Sequence, residues 1–146
     1  MIGRFATERL IGEIASRYGS QACTVALDFL PSGIVRGRGE GEAGDHVRRR
    51  AAEAVRWGAG QLLLTSIDRD GSLDGYDVSS LASVAGSVPV PVMIAGGCGN
   101  WSHMQAAFEA GASACVTSNI HHISRSGMRS AHEWLRGRDI NVRAVA

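Results

Sequence analysis

The stretch QLLLTSIDRDGSLDGYDVSSLASV, residues 61–84, runs from an apolar segment through four aspartates and two glycines into a second segment of different period. Residues 61–67 have the leucine and β-branched content of a buried strand. Asp77 then stands where a helix N-cap is wanted, ahead of Val78, Leu81, Ala82 and Val84 at helical spacing. Strand, polar loop and helix together make one βα unit, and the same unit recurs along the chain.

Before it, residues 22–27 (ACTVAL) read as a short buried strand ended by Asp28. Asp45 is placed to cap a helix through Val47, Ala51, Ala52, Ala54, Val55 and Trp57, closed by Gly58. After it, residues 91–95 form a third strand. Gly96-Gly97-Cys98-Gly99 leads into a helix over 101–110 with Met104, Ala107 and Phe108 inward, stopped by Gly111. Residues 114–118 make the last strand, and Met128, Ala131, Trp134 and Leu135 define a final helix over about 126–135, ended by Gly137. A helix over 7–18 (Leu10, Ile11, Ile14, Ala15, Tyr18) precedes the whole series, with Gly19 at its C-terminus.

One helix followed by four βα units predicts an α/β fold. Strands without polar alternation belong to a parallel sheet covered by the crossover helices that parallel neighbours require. Two architectures fit: a small open doubly wound sheet, or half of a (β/α)8 barrel. In both, chemistry sits at the carboxyl ends of the strands. Those ends read Asp28, Thr65-Ser66-Ile67-Asp68, Gly96-Gly97 and Thr117-Ser118-Asn119.

The 146 residues suit a single domain, 1–146. Fifteen Lys plus Arg against 14 Asp plus Glu leave no one-signed field to draw nucleic acid or an anionic membrane. Apolar runs such as residues 88–95 fall far short of the ~20 residues that span a bilayer. The N-terminal residues 1–19 mix Glu and Arg among apolar positions and lack the uninterrupted core of a signal peptide, which points to the cytoplasm. Cys23, Cys98 and Cys115 are an odd number without a C-x-x-C pair, so reduced thiols are expected rather than disulfides or a metal site.

SIDRDGSLDGYD is not a calcium loop, because Gly71 comes fourth after Asp68 where an EF-hand needs its glycine sixth. Turn-forming and capping roles account for Asp68, Asp70, Asp74 and Asp77 taken singly. What sets them apart as a group is their place directly beyond a strand carrying Thr65 and Ser66. The glycine pair Gly96-Gly97 before a helix would let a backbone approach an anion closely, with amide donors at the helix start. The third glycine of a dinucleotide fingerprint is missing, and no Gly-Lys-Ser/Thr marks a P-loop. Asp28 reads either as a paired or solvated end-of-strand acid or as a general acid or base tuned by burial. His121-His122 are adjacent and diverge, unlike a two-histidine metal pair. Arg48, Arg49 and Arg50, with Arg36 and Arg38, read as a solvated helix face and loop.

These residues resemble a family, the cyclase subunit of imidazole glycerol phosphate synthase in histidine biosynthesis. GSQACTVALD is similar to its segment leading to strand five, and GAGQLLLTSIDRDGSLDGYD to strand six and its loop. PVMIAGGCGNWSHMQAAFEAGASA is similar to strand seven and the following helix, and INVR to its ending. The resemblance implies the C-terminal half of a (β/α)8 TIM barrel, four parallel βα units preceded by one helix, without the first four strands. It implies a lyase that takes ammonia from a partner glutaminase subunit. From a bis-phosphorylated substrate it would form imidazole glycerol phosphate and an aminoimidazole carboxamide ribonucleotide, with no cofactor and no metal.

By the same resemblance Asp28 is one of two acid/base aspartates, the other belonging to the absent first strand, and Asp70 is the loop aspartate near the substrate. Thr65, Ser66 and Gly71 belong to the substrate-handling strand and loop, and Gly96, Gly97, Ser118 and Asn119 to the positions that hold one phosphate. The chain departs from the family at Gln61, commonly a glutamate of the ammonia gate, and at Phe29-Leu30-Pro31, which replace polar residues. It departs again at Ala95, which replaces a serine, and in SNIHH, which replaces a more apolar segment. A paralogue that amidates a sugar nucleotide for surface polysaccharide, or a non-catalytic phosphate-binding half-barrel, fits these departures too. Either way, a half-barrel needs its missing N-terminal half or a second copy of itself.

Overall fold

The computed structural model describes residues 7–35, 46–118, 120 and 127–143. Asp45, Arg36, Arg38, Asn119 and His121-His122 lie outside them. Helix α1 (Glu8–Tyr18) starts at Thr7, whose side chain accepts the Leu10 N–H at 3.3 Å, and stops at Gly19, where φ is +86°. A 3-10 turn (Ser20–Ala22) leads to β1 (Thr24–Phe29), followed by α2 (Val47–Arg56), β2 (Gln61–Ser66) and α3 (Val78–Ala85). Then come β3 (Val92–Ala95), α4 (Trp101–Glu109), β4 (Ala114–Cys115) and α5 (Met128–Arg136).

Several boundaries differ from the sequence expectation. Ala22 belongs to the turn, and β1 continues through Asp28 to Phe29, so the carboxylate lies inside the ladder rather than after it. The sheet extends because Asp28 pairs with Thr65 and Phe29 with Ser66. Strand β4 keeps only two residues. The N-cap of α2 is His46, whose Nδ1 accepts the Arg48 N–H at 3.3 Å.

All four strands are parallel, in the order β1-β2-β3-β4. A doubly wound sheet reverses order at a switch point, and this one does not, so the doubly wound alternative falls. Right-handed crossovers that always step in one direction place every helix on one face of the sheet. The burial of β2 records this: Leu62, Leu64 and Ser66 are at most 1% exposed, whereas Gln61, Leu63 and Thr65, pointing the other way, are only half-buried. The helices therefore cover one face, not both, and the fold is an α/β half-barrel.

The covered face holds the core. Phe29, Leu62, Leu64, Ile94 and Val92 from the strands meet Val47, Ala51, Leu81, Val84, Met104 and Ala107 from α2, α3 and α4. Fully burying such a side chain contributes roughly 1.5–3 kcal/mol. The opposite face is arranged in register rows: Thr24 beside Gln61, then Ala26, Leu63, Met93 and Ala114, then Asp28, Thr65 and Ala95. Its middle row is apolar, and its polar groups stand at the two ends.

Candidate functional site

At the carboxyl end of the uncovered face, Asp28 and Thr65 sit side by side on neighbouring strands, with Ala95 next to them. Ser66 alternates away from Thr65. Its side chain is buried on the helix-covered face, with its hydroxyl 3.5 Å from Asp68 Oδ1. The Ser66 carbonyl accepts the Asp70 N–H at 3.1 Å and turns the chain into the acidic loop.

That loop lies back against the turn after β3. The Gly75 N–H donates to the Gly97 carbonyl at 2.7 Å, and Arg69 Nη1 donates to the Gly75 carbonyl at 3.1 Å. This close approach explains the glycines. Gly96 has φ +89°, and a Cβ there would lie 2.6 Å from the Ser66 carbonyl oxygen. Gly97 has φ +98°, and a Cβ there would strike the Gly75 carbonyl. The two faces of this glycine turn differ, one filled by the neighbouring loop and the other open.

On the open side is a cleft of about 100 Å³ lined by Asp70, Gly71 and Leu73 from the β2 loop, Gly96, Gly97 and Cys98 after β3, and Val116, Thr117 and Ser118 after β4, with Ala95 at its floor. Of the sequence-nominated residues, Asp70, Gly71, Gly96, Gly97 and Ser118 converge here, while Asp28 and Thr65 stand on the adjoining sheet face. The amide supply at the start of α4 is narrower than the sequence promised. Asn100 caps the helix by accepting the His103 N–H at 3.1 Å, and the His103 ring takes the Gly99 N–H through Nδ1, also at 3.1 Å. The lining holds one carboxylate and no Lys or Arg, so an anion would be held by backbone donors and hydroxyls.

Asp77, at the end of the same loop, is structural. Burial alone would push the Asp77 carboxyl up, but the Ser80 amide, the Ser79 and Ser80 hydroxyls and the nearby Arg69 guanidinium outweigh it and hold it below the usual range. Asp77 is thus a satisfied helix cap. Two of the thiols are not activated: burial, reinforced by Cys98 nearby, pushes Cys115 up to about 12, and burial raises Cys23. All three cysteines are free. In the arginine run, Arg49 and Arg50 reach Glu53 at 3.2 and 2.9 Å along α2. Among the described residues no cluster of His, Cys, Asp and Glu is arranged to hold a metal, and no helix is long and apolar enough to cross a membrane.

Sequence reasoning placed Thr117 at a strand end without giving it a role, and passed over Tyr76, Arg69 and Leu73. Tyr76 had a legible signal: it precedes the cap Asp77 with Leu81 four places beyond that cap, the spacing of a hydrophobic staple, and both residues are buried.

A family model described as "Histidine biosynthesis protein" matches residues 3–125. The imidazole glycerol phosphate synthase subunit HisF of Pelodictyon phaeoclathratiforme is 40% identical over 139 residues, covering 92% of this chain and 55% of its own length. The HisF subunits of Chlorobium phaeobacteroides and Chlorobium luteolum are each 40% identical, over 149 and 142 residues, with the same coverage. The chain spans about half the length of these curated relatives. Because the family model runs from before α1 to beyond β4 and takes in every strand of the sheet, the chain belongs to the histidine biosynthesis protein family, as a HisF-like half-barrel.

Proposed function

We propose that this half-barrel supplies the C-terminal half of a cyclase-type lyase site. In it Asp28 acts as one acid/base group, Asp70 as the loop carboxylate beside the substrate, and the Gly96-Gly97 cleft holds one phosphate. The observation that carries the reading is the row formed by Asp28 and Thr65 at the carboxyl end of the uncovered face, beside a glycine-lined cleft of phosphate-compatible size. The product pair would be imidazole glycerol phosphate and an aminoimidazole carboxamide ribonucleotide, with ammonia delivered by a glutaminase subunit. Asn119, a further phosphate position by family resemblance, lies outside the described residues.

Acid and base must act on opposite sides of a reacting centre, and this sheet face presents one strand carboxylate. The second would come from a complementary half seated on the apolar row of Ala26, Leu63 and Met93. Either the first four strands of a relative or a second copy of this chain could occupy that face. In a twofold pair Asp28 would be present twice. A non-catalytic phosphate-binding half-barrel is the second reading, favoured by that single carboxylate.

Turnover at high ammonium separates the readings. The purified chain is assayed alone and mixed with the first half of a HisF relative supplied as a separate chain, each with Asp28→Asn as control. Turnover in either preparation that the substitution abolishes supports the lyase reading. Phosphate binding without turnover in both would favour the second.

A further inference from the structure

The anion cleft is walled by three chain segments that no single strand pairing holds together. Strand β4 pairs with β3 only through Ala114 and Cys115, and the last rung beyond them is the Val116 N–H to the Ile94 carbonyl at 2.8 Å. Thr117 and Ser118 come after that rung. The β2 loop is tied to the β3 turn by the Gly75–Gly97 hydrogen bond, but β2 and β4 are not neighbours in the sheet.

A tyrosine side chain spans the gap. Tyr76, next to Gly75, is 4% exposed, and its hydroxyl donates to the Val116 carbonyl at 3.0 Å, forty residues along the chain. The bond lands where the ladder ends and the cleft wall begins. Burial first, then the Cys98 thiol beside it, pushes the phenol far above its usual range, which favours the protonated hydroxyl that donates this bond.

We infer that Tyr76 is a positioning residue of the anion cleft: without touching the bound phosphate, it fixes Thr117 and Ser118 opposite Gly96 and Gly97. The ring anchors the β2 loop in the core, and the hydroxyl fastens the end of β4 to it. The inference rests on the reading of the cleft as a phosphate site.

The test is titration of the full chain with inorganic phosphate, followed by calorimetry and by the amide resonances of Gly97 and Ser118. Tyr76→Phe keeps the ring and removes the bond, and Ile11→Ala serves as a control that loosens the core under α1, away from the cleft. Tyr76→Phe is expected to weaken phosphate binding roughly fivefold, the equivalent of one hydrogen bond, while Ile11→Ala lowers the unfolding midpoint more and leaves affinity unchanged. Equal affinity in wild type and Tyr76→Phe, or equal weakening by Ile11→Ala, overturns the positioning role alone. Failure of the wild type to bind phosphate overturns the cleft reading and the inference with it.

Discussion

At the residue scale, the acidic loop divides its work between holding itself and facing the cleft. Asp77 caps α3 through the Ser80 amide at 3.0 Å and both neighbouring hydroxyls, so Asp77→Ala should cost about 1 kcal/mol in urea denaturation. Because its folded pKa is depressed, the cap contributes fully above the ordinary carboxylate pKa of about 3.9 and is lost as pH falls through the folded value. The difference between wild type and variant should therefore close only in that acid range. Gly97→Ala forces a side chain into a left-handed backbone position and against the Gly75 carbonyl, and should cost roughly 1–3 kcal/mol. Gly127→Ala, with nothing among the described residues within 4 Å of the added carbon and no positive φ, should stay within about 0.5 kcal/mol. Equal losses at the two glycines, measured as denaturation midpoints, would remove close packing as the reason for the glycine turn.

At the element scale, α1 shows what the half-barrel leaves open. Its periodic residues predicted a helix with Leu10, Ile11, Ile14, Ala15 and Tyr18 facing a core, yet Ile11 alone is fully buried, while Leu10 and Tyr18 are 36% and 60% exposed. Periodicity reports which residues suit an interface, and it does not say whether the partner is in the same chain. Ile11→Ala should cost about 2–5 kcal/mol in the chain alone, and Tyr18→Ser within about 0.5 kcal/mol, both read by thermal unfolding. The βα order, the cap at Asp77, the close of α1 at Gly19 and the strand β2 were legible because local signals decide them. The place of Asp28 inside β1, the shortness of β4 and the inward turn of Ser66 were not, since register with a neighbouring strand decides those. The β2–α3 loop showed its carboxylates in sequence, but which of them faces the cleft depends on its docking against Gly97.

At the scale of the whole molecule, a sheet wound in one direction with helices on one side has a second face that no crossover in this chain reaches. Thr24 Oγ1 donates to Gln61 Oε1 at 3.2 Å at one end of that face, Asp28 lies at the other, and Leu63 and Met93 stand between them. Where the family resemblance implies a glutamate, Gln61 is neutral and already engaged, so under the proposed lyase reading Gln61→Glu should alter ammonia use in a complemented barrel without moving phosphate affinity. On the proposed reading the apolar row is the surface a complementary half would cover, since half-buried leucine and methionine gain by leaving water. Sedimentation equilibrium of the purified chain at micromolar concentration, alone and with the first half of a HisF relative, tests this most directly. The account predicts a dimer or a one-to-one complex that Met93→Glu, which leaves the helix-covered core intact, converts to folded monomer. A wild-type chain that remains a monodisperse monomer in both samples would contradict it.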